Sequence, residues 1–329
     1  MRQIAFLLTV LVAVLISACS PKTTAGATKG ASATSVVPAP APQKSYAPTA
    51  SDTSLLWRLS GPGVNGESFL FGTIHLIPEE DYFTPKGLVA ALNDADEVIF
   101  EIDPRNMQDP MAIMGLMSKI NMRGDTSLAD LLPADRYAEI EAYFGKMGLP
   151  FFLFKKMKPL FLSAMVGQDM QAMQQGGGIG TGGSKSYELE MTKLAEAAGK
   201  EIGGLETMEF QLSLFDSIPY RGQAQMLYDA VKADEAGESD AAGEMGRLVD
   251  MYKRKAVAEM ARTISEESAG VANFEELLLT KRNLNWVPLI KGKIAGSPKL
   301  IAVGAGHLGG EKGVIALLRK EGFMVEPVY

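Results

Sequence analysis

Two histidines occur in 329 residues, His75 and His307, and both close the same local pattern. His75 ends Phe69-Leu70-Phe71-Gly72-Thr73-Ile74-His75, and His307 ends Leu300-Ile301-Ala302-Val303-Gly304-Ala305-Gly306-His307: an apolar run, then Gly-x-x-His. The chain has 34 glycines. Independent placement would put one three positions before both histidines about once in a hundred such sequences. A glycine at a strand end lets the backbone turn sharply or approach a ligand, which presents an imidazole at the carboxyl edge of an α/β sheet. A third apolar run ends in Phe100-Glu101-Ile102-Asp103. If the three runs are parallel, neighbouring strands, His75, Glu101 and His307 converge. Two imidazoles and a carboxylate with open positions suit a catalytic divalent metal, which acidifies bound water and polarises a carbonyl. Ligand types alone admit Zn, Mn, Co or Fe. The plainer alternative has each histidine capping a turn and Glu101 in an ion pair.

The elements that must position these groups read as follows. Residues 55–59 and 67–73 are strands joined by the turn Gly61-Pro62-Gly63-Val64-Asn65-Gly66, a hairpin. Residues 85–93 are helical, 97–102 form a strand, and 110–261 are mostly helix, interrupted by the glycine-rich stretch 176–183. Within that section 187–198 is an Ala-rich helix and 201–203 a strand. The end reads as helix 274–290, strand 300–303, helix 311–320 and strand 323–328. The expected class is α/β: a mixed, largely parallel sheet flanked by helices, with a large helical middle section.

With 47% apolar and 22% charged residues, the chain can bury a sizeable core. A formal net charge of -7 leaves no basic excess for phosphates, so a general nucleic-acid binder is excluded. A single cysteine, Cys19, rules out a disulfide framework and a four-thiolate zinc site. Met1 and Arg2 precede an apolar run over 4–16, too short to span a bilayer, which ends in Ile16-Ser17-Ala18-Cys19. This resembles the lipobox of bacterial lipoproteins. The resemblance implies a signal peptide over 1–18 and a lipidated Cys19 as membrane anchor; the alternative is an ordinary secretory signal. Ser20 after the cysteine, rather than Asp, favours the outer membrane, facing the periplasm. Residues 19–52, rich in Ala, Thr, Ser and Pro, bury too little to offset their ordering entropy and read as a tether reaching roughly 30 Å. The folded domain is 53–329.

Further motifs carry a second resemblance. Phe71-Gly72-Thr73-Ile74-His75, Val98-Ile99-Phe100-Glu101-Ile102-Asp103, Gly204-Leu205-Glu206-Thr207-Met208-Glu209-Phe210-Gln211, the pair Arg282-Asn283, and Val303-Gly304-Ala305-Gly306-His307-Leu308-Gly309-Gly310 follow one another. In this order they resemble the TraB/GumN (TraB/PrgY/GumN) family over nearly all of the chain from residue 55. The resemblance implies an α/β fold like that of erythromycin esterase and ChaN, with His75, Glu101 and His307 at the site. The family's Tiki members are divalent-metal-dependent peptidases. One departure is the Gly-rich stretch 176–183 with Ser184-Lys185-Ser186-Tyr187-Glu188, where relatives usually have a Gly-hydrophobic-Asp opening the helix.

Arg282 offers a planar fork of donors for a substrate carboxylate or a developing oxyanion, or else an ion pair with Glu206. Glu206 is a ligand or a partner behind the ligands, or else a surface acid before a helix that Thr207 caps. Gly304-Ala305-Gly306-His307-Leu308-Gly309 also matches the dinucleotide-binding fingerprint, although one βαβ unit remains where two halves are normal. Met111, Met114 and Met117 share a helix face, suiting Cu(I) or, more simply, adaptable packing or a peptide groove. Lys155-Lys156-Met157-Lys158 beside Phe151-Phe152-Leu153-Phe154 could touch lipid headgroups or be a solvated helix start.

These readings converge on a lipid-anchored envelope protein that uses Mn, Co or Zn to hydrolyse peptides. Glu101 is a ligand or the general base. The alternative is a non-catalytic module that binds peptides or a partner protein in the same cleft.

Overall fold

The computed structural model describes residues 45–107, 115–116, 118–167, 183–238, 241–268 and 275–329. Cys19, the expected signal peptide, the methionines 111, 114 and 117, and nearly all of the 176–183 stretch lie outside the described residues. Residues 45–52, at the end of the expected tether, are described and held to the body. Arg319 donates to the Tyr46 carbonyl at 3.1 Å, and the Ser45 hydroxyl donates to the Glu311 carboxylate at 2.5 Å.

β1 (Leu56–Ser60) and β2 (Ser68–Thr73) form the expected hairpin, with Leu56 opposite Phe71 and Leu59 opposite Ser68. All six β2 residues are buried; a strand covered on both faces reads as an unbroken apolar run. After the two-residue β3 (Ile77–Pro78), α1 (Leu88–Asp94) leads to β4 (Glu97–Phe100). The helical section contains α2 (Ala134–Lys146), α3 (Pro159–Ser163), β5 (Ser184–Lys185), α4 (Tyr187–Ala197), β6 (Glu201–Gly204) and α5 (Met208–Leu214). It continues through α6 (Tyr220–Glu235), α7 (Ala241–Lys253) and α8 (Val257–Ser268). A π turn (Glu276–Thr280) runs into α9 (Lys281–Gly296), followed by β7 (Lys299–Gly304), α10 (Val314–Lys320) and β8 (Met324–Pro327).

The main sheet has the order β6-β4-β7-β2-β1-β8. β7 lies between β2 and β4 and is parallel to both, so Ala302 pairs with Phe71 on one side and Phe100 on the other. β6 extends the parallel part beyond β4, while β1 and β8 are antiparallel. One apolar core surrounds this sheet; a second sits in the helical section around Phe144, Phe161, Leu212 and Phe215. α4 and α5 begin on side-chain caps: Ser186 accepts from the Leu189 N–H and Thr207 from the Phe210 N–H, each satisfying a donor the helix itself leaves open.

Lys155 and Lys156 are exposed, as a solvated run before a helix is, but Lys158 is neither solvated nor lipid-facing. Lys158 is 1% exposed; its Nζ donates to the Leu212 carbonyl at 3.0 Å and pairs with Asp216 at 2.9 Å. Burial pushes its pKa down, against the pull of Asp216. Phe151 is in the core, whereas Phe152 and Leu153 are exposed. No helix among the described residues is long and apolar enough to cross a membrane.

Candidate active site

Four parallel strands end along one edge, and each is followed within three residues by a group that can do chemistry. Glu101 comes directly after β4, Glu206 two residues after β6, His75 two after β2 and His307 three after β7. The three expected strands are therefore neighbours, and the structure adds β6 beside them. Glu101 Oε1 accepts the Gly304 N–H at 2.7 Å, joining the ends of β4 and β7. A Cβ on Gly304 would lie 3.2 Å from that oxygen, so the glycine permits the close approach.

Arg282, near the start of α9, is buried, and each of its three side-chain nitrogens makes at least one hydrogen bond. Nε donates to Glu206 Oε1 at 2.9 Å, and Nη1 to the Leu278 carbonyl at 3.0 Å and His307 Nε2 at 3.1 Å. Nη2 reaches Glu206 Oε1 at 2.7 Å and bonds Glu101 Oε2. The ion pair with Glu206 is thus present, and Glu206 is a buried partner rather than a surface acid. Its other oxygen accepts the Trp286 indole N–H at 2.8 Å, and Gln211 donates to Oε1 at 2.7 Å. The Arg282 guanidinium also lies 4.7 Å from the Trp286 ring centroid.

The histidine environments differ. His307 Nδ1 lies 2.6 Å from Asn283 Oδ1. The Asn283 amide donates to the Lys312 carbonyl at 2.9 Å, which fixes its orientation and makes Oδ1 an acceptor. Nδ1 of His307 therefore carries the proton and the Nε2 lone pair faces Arg282. Burial, with Arg282 adding to it against Glu101, lowers the His307 pKa to about 3, so the ring is neutral. His75 Nδ1 sits 2.9 Å from Glu188 Oε1, whose oxygens also accept from Thr73 at 2.6 Å and Ser186 at 2.9 Å. Burial would lower the His75 pKa, but Glu188 more than offsets this and raises it to about 9. Glu101 resists burial because Arg282, then His307 and His75, hold its carboxyl well below the usual range. Glu206 is shifted up by burial, which Arg282 only partly offsets.

Sequence reasoning missed Glu188 as a partner of His75; its signal was the departure at residues 184–188, where an acid still opens the helix. It also gave no role to Asn283, which orients His307. Of the expected site residues, His75, Glu101, Arg282 and His307 line one pocket, and Glu206 does not. The dinucleotide fingerprint is not borne out. A Cβ on Gly306 would come within 2.5 Å of Ile264, and one on Gly309 within 2.3 Å of the Val257 carbonyl. These glycines seat α8, and after β7 only a single 3-10 turn (Ala305–His307) precedes the α-helix at Val314, so no α-helix opens there to receive a pyrophosphate.

The donor chemistry fits a divalent metal in part. Both histidines have Nδ1 held by an oxygen acceptor, as metal-binding imidazoles almost always do, and Glu101 Oε1 lies 3.8 Å from His307 Nε2. Among the described residues, however, no three such groups stand in ligand geometry, and no buried side-chain nitrogen or oxygen lacks a partner. Loading the site requires Arg282 Nη1 to release the His307 lone pair.

These environments predict a dome in stability against pH. Glu101 and Glu188 are held low and His307 stays neutral down to about pH 3. Below the ordinary histidine value the unfolded chain therefore takes up more protons, and stability falls on acidification. Glu206 opposes this in part. His75 acts with the other sign: its contribution is complete below 6.5 and lost as pH rises through about 9. Thermal midpoints are expected to peak at about pH 6.5; a midpoint that climbs between pH 5 and 4 contradicts this assignment.

Residues 55–327 match the TraB/PrgY/gumN family. The chain is 21% identical to the zebrafish (Danio rerio) metalloprotease TIKI2, over 83% of this chain and 60% of that protein. It is 23% identical to the human metalloprotease TIKI1, over 83% of this chain and 61% of that protein. It is also 24% identical to the uncharacterized protein YbaP of Escherichia coli, over 78% of this chain and 89% of that protein. The chain thus spans about three fifths of the length of the Tiki relatives it matches. No solved structure matches significantly.

Proposed function

The chain belongs to the TraB/PrgY/gumN family, and from this premise we propose that it is a divalent-metal-dependent hydrolase of peptides. The observation that carries the proposal is the convergence of His75, Glu101 and His307 from three adjacent parallel strands on one pocket, each imidazole anchored through Nδ1. When bound by these three residues, Mn, Co or Zn supplies a Lewis acid that acidifies water and polarises a scissile carbonyl. Glu101 serves as a ligand rather than the base, because a carboxyl held so far below its usual range is a poor proton acceptor at neutral pH. Arg282 balances its charge, and Asn283 and Glu188 hold the two rings. In the net reaction, water oxygen bonds to the carbonyl carbon, the C–N bond breaks and a water proton ends on the leaving nitrogen.

The test is hydrolysis of a peptide mixture by protein purified without a histidine tag. Cleavage abolished by chelator and restored by Mn, Co or Zn is the expected result; cleavage indifferent to chelator refutes metal dependence. The second reading is a non-catalytic peptide- or protein-binding module, favoured by the complete internal pairing of the polar cluster. It predicts peptide binding without cleavage, unchanged in His75→Ala and His307→Ala.

We also propose that Cys19 anchors the protein by acyl chains in the outer membrane, facing the periplasm, where peptides and proteins are at hand. Supporting this is the Ile16-Ser17-Ala18-Cys19 sequence after a short apolar run. Cells given a palmitate analogue are expected to label the wild type and not Cys19→Ser; equal labelling of the two refutes the anchor.

A further inference from the structure

The pocket has a second set of walls that the hydrolytic chemistry leaves unused. Met245 and Leu248 from α7, Met260 and Ile264 from α8, and Leu278 and Leu279 from the π turn line it alongside the polar groups. These apolar residues come from the helical section, whereas the polar ones come from strand ends and α9. Ile264 and Leu279 are buried yet belong to neither apolar core, and Met245 and Leu248 remain half-buried at the edge of the sheet core. Ile264 is seated directly on the histidine loop, because Gly306 has no side chain to hold it off. The pocket's ionisable residues are His75, Glu101, Arg282 and His307, so the apolar walls offer no partner to a charge. A charged group placed there loses its hydration uncompensated, whereas an apolar one gains by leaving water. The two methionines add adaptability, since a thioether side chain repacks around different shapes.

We propose that these six residues form a specificity subsite that takes a large apolar side chain of the substrate, of leucine, methionine or phenylalanine type, beside the bond to be cleaved. The proposal rests on the hydrolase reading for the word substrate, but the subsite can be tested without catalysis.

Full-length protein labelled with 13C at its methionine methyls, assigned with Met245→Leu and Met260→Leu, is titrated with N-acetyl-leucinamide, N-acetyl-phenylalaninamide and N-acetyl-aspartamide. Shifts at Met245 and Met260 with the first two, absent with the third and lost in Leu248→Asp, are the expected result. No shift, or equal shifts with the aspartamide, overturns the subsite whatever the protein catalyses. In the second arm a peptide library is incubated with the metal-loaded protein. Cleavage is expected at least tenfold faster beside Leu, Met or Phe than beside Asp or Gly, a contrast within reach of an apolar pocket. Leu248→Trp should reduce cleavage beside Phe tenfold or more relative to cleavage beside Ala. Cleavage without apolar preference overturns the proposal. An uncleaved library with intact methyl shifts overturns the hydrolase reading and retains the apolar subsite.

Discussion

Arg282→Ala is expected to destabilise the fold by about 3–5 kcal/mol, the range for removing one partner of a buried ion pair. Arg282 is 5% exposed, and its three side-chain nitrogens bond Glu101, Glu206, His307 and the Leu278 carbonyl. Truncation takes the shared cation from two buried carboxylates, which retain only the N–H donors of Gly304, Gln211 and Trp286. Arg282→Lys keeps the charge but has three donors on a flexible stem in place of a planar fork of five. It is expected to fall between, at about 1–3 kcal/mol for the acceptors left unmet. Urea unfolding measures both. Arg282→Ala within 1 kcal/mol of wild type would contradict the central role of this cation, as would Arg282→Lys costing more than Arg282→Ala.

His307→Gln is expected to lower kcat/KM for peptide hydrolysis by about a thousandfold or more, a size typical of losing a central catalytic group. The neutral ring, its Nδ1 proton on Asn283 and its lone pair aimed into the site are properties that glutamine cannot reproduce together. No third histidine exists in the chain to substitute. Glu188→Gln acts through His75 rather than on the substrate, and the expected loss is about 10- to 100-fold, as for residues behind a metal ligand. Activity of His307→Gln within tenfold of wild type, at matched thermal midpoint, would remove His307 from the mechanism. A Glu188→Gln loss as large as that of His307→Gln would mean that Glu188 acts directly.

The strands that present the site were legible because their signal is local. The apolar runs ending at Gly72, Phe100 and Gly304 are set by the residues themselves, and each observed strand lies within a residue or two of its expected bounds. The cap at Thr207 was legible for the same reason. Lys158 was misread because charge along a chain says nothing of a partner 58 positions away, and Asp216 is what lets the ammonium stay buried. The glycines 306 and 309 were ambiguous because close backbone approach serves a ligand or a packed helix equally, and only the position of α8 distinguishes them.

By itself, then, the sequence determined the α/β class, the family and the identity of His75, Glu101, Arg282 and His307 as the residues to watch. Only the tertiary structure decided how they are wired: Arg282 to Glu101 across 181 positions, His75 to Glu188, His307 to Asn283, and an apolar wall beside them. The physical reason is range. Propensity and periodicity act over one or two turns of chain. Protonation states depend on charges and dipoles within a few ångströms in space, which packing of the two cores brings together.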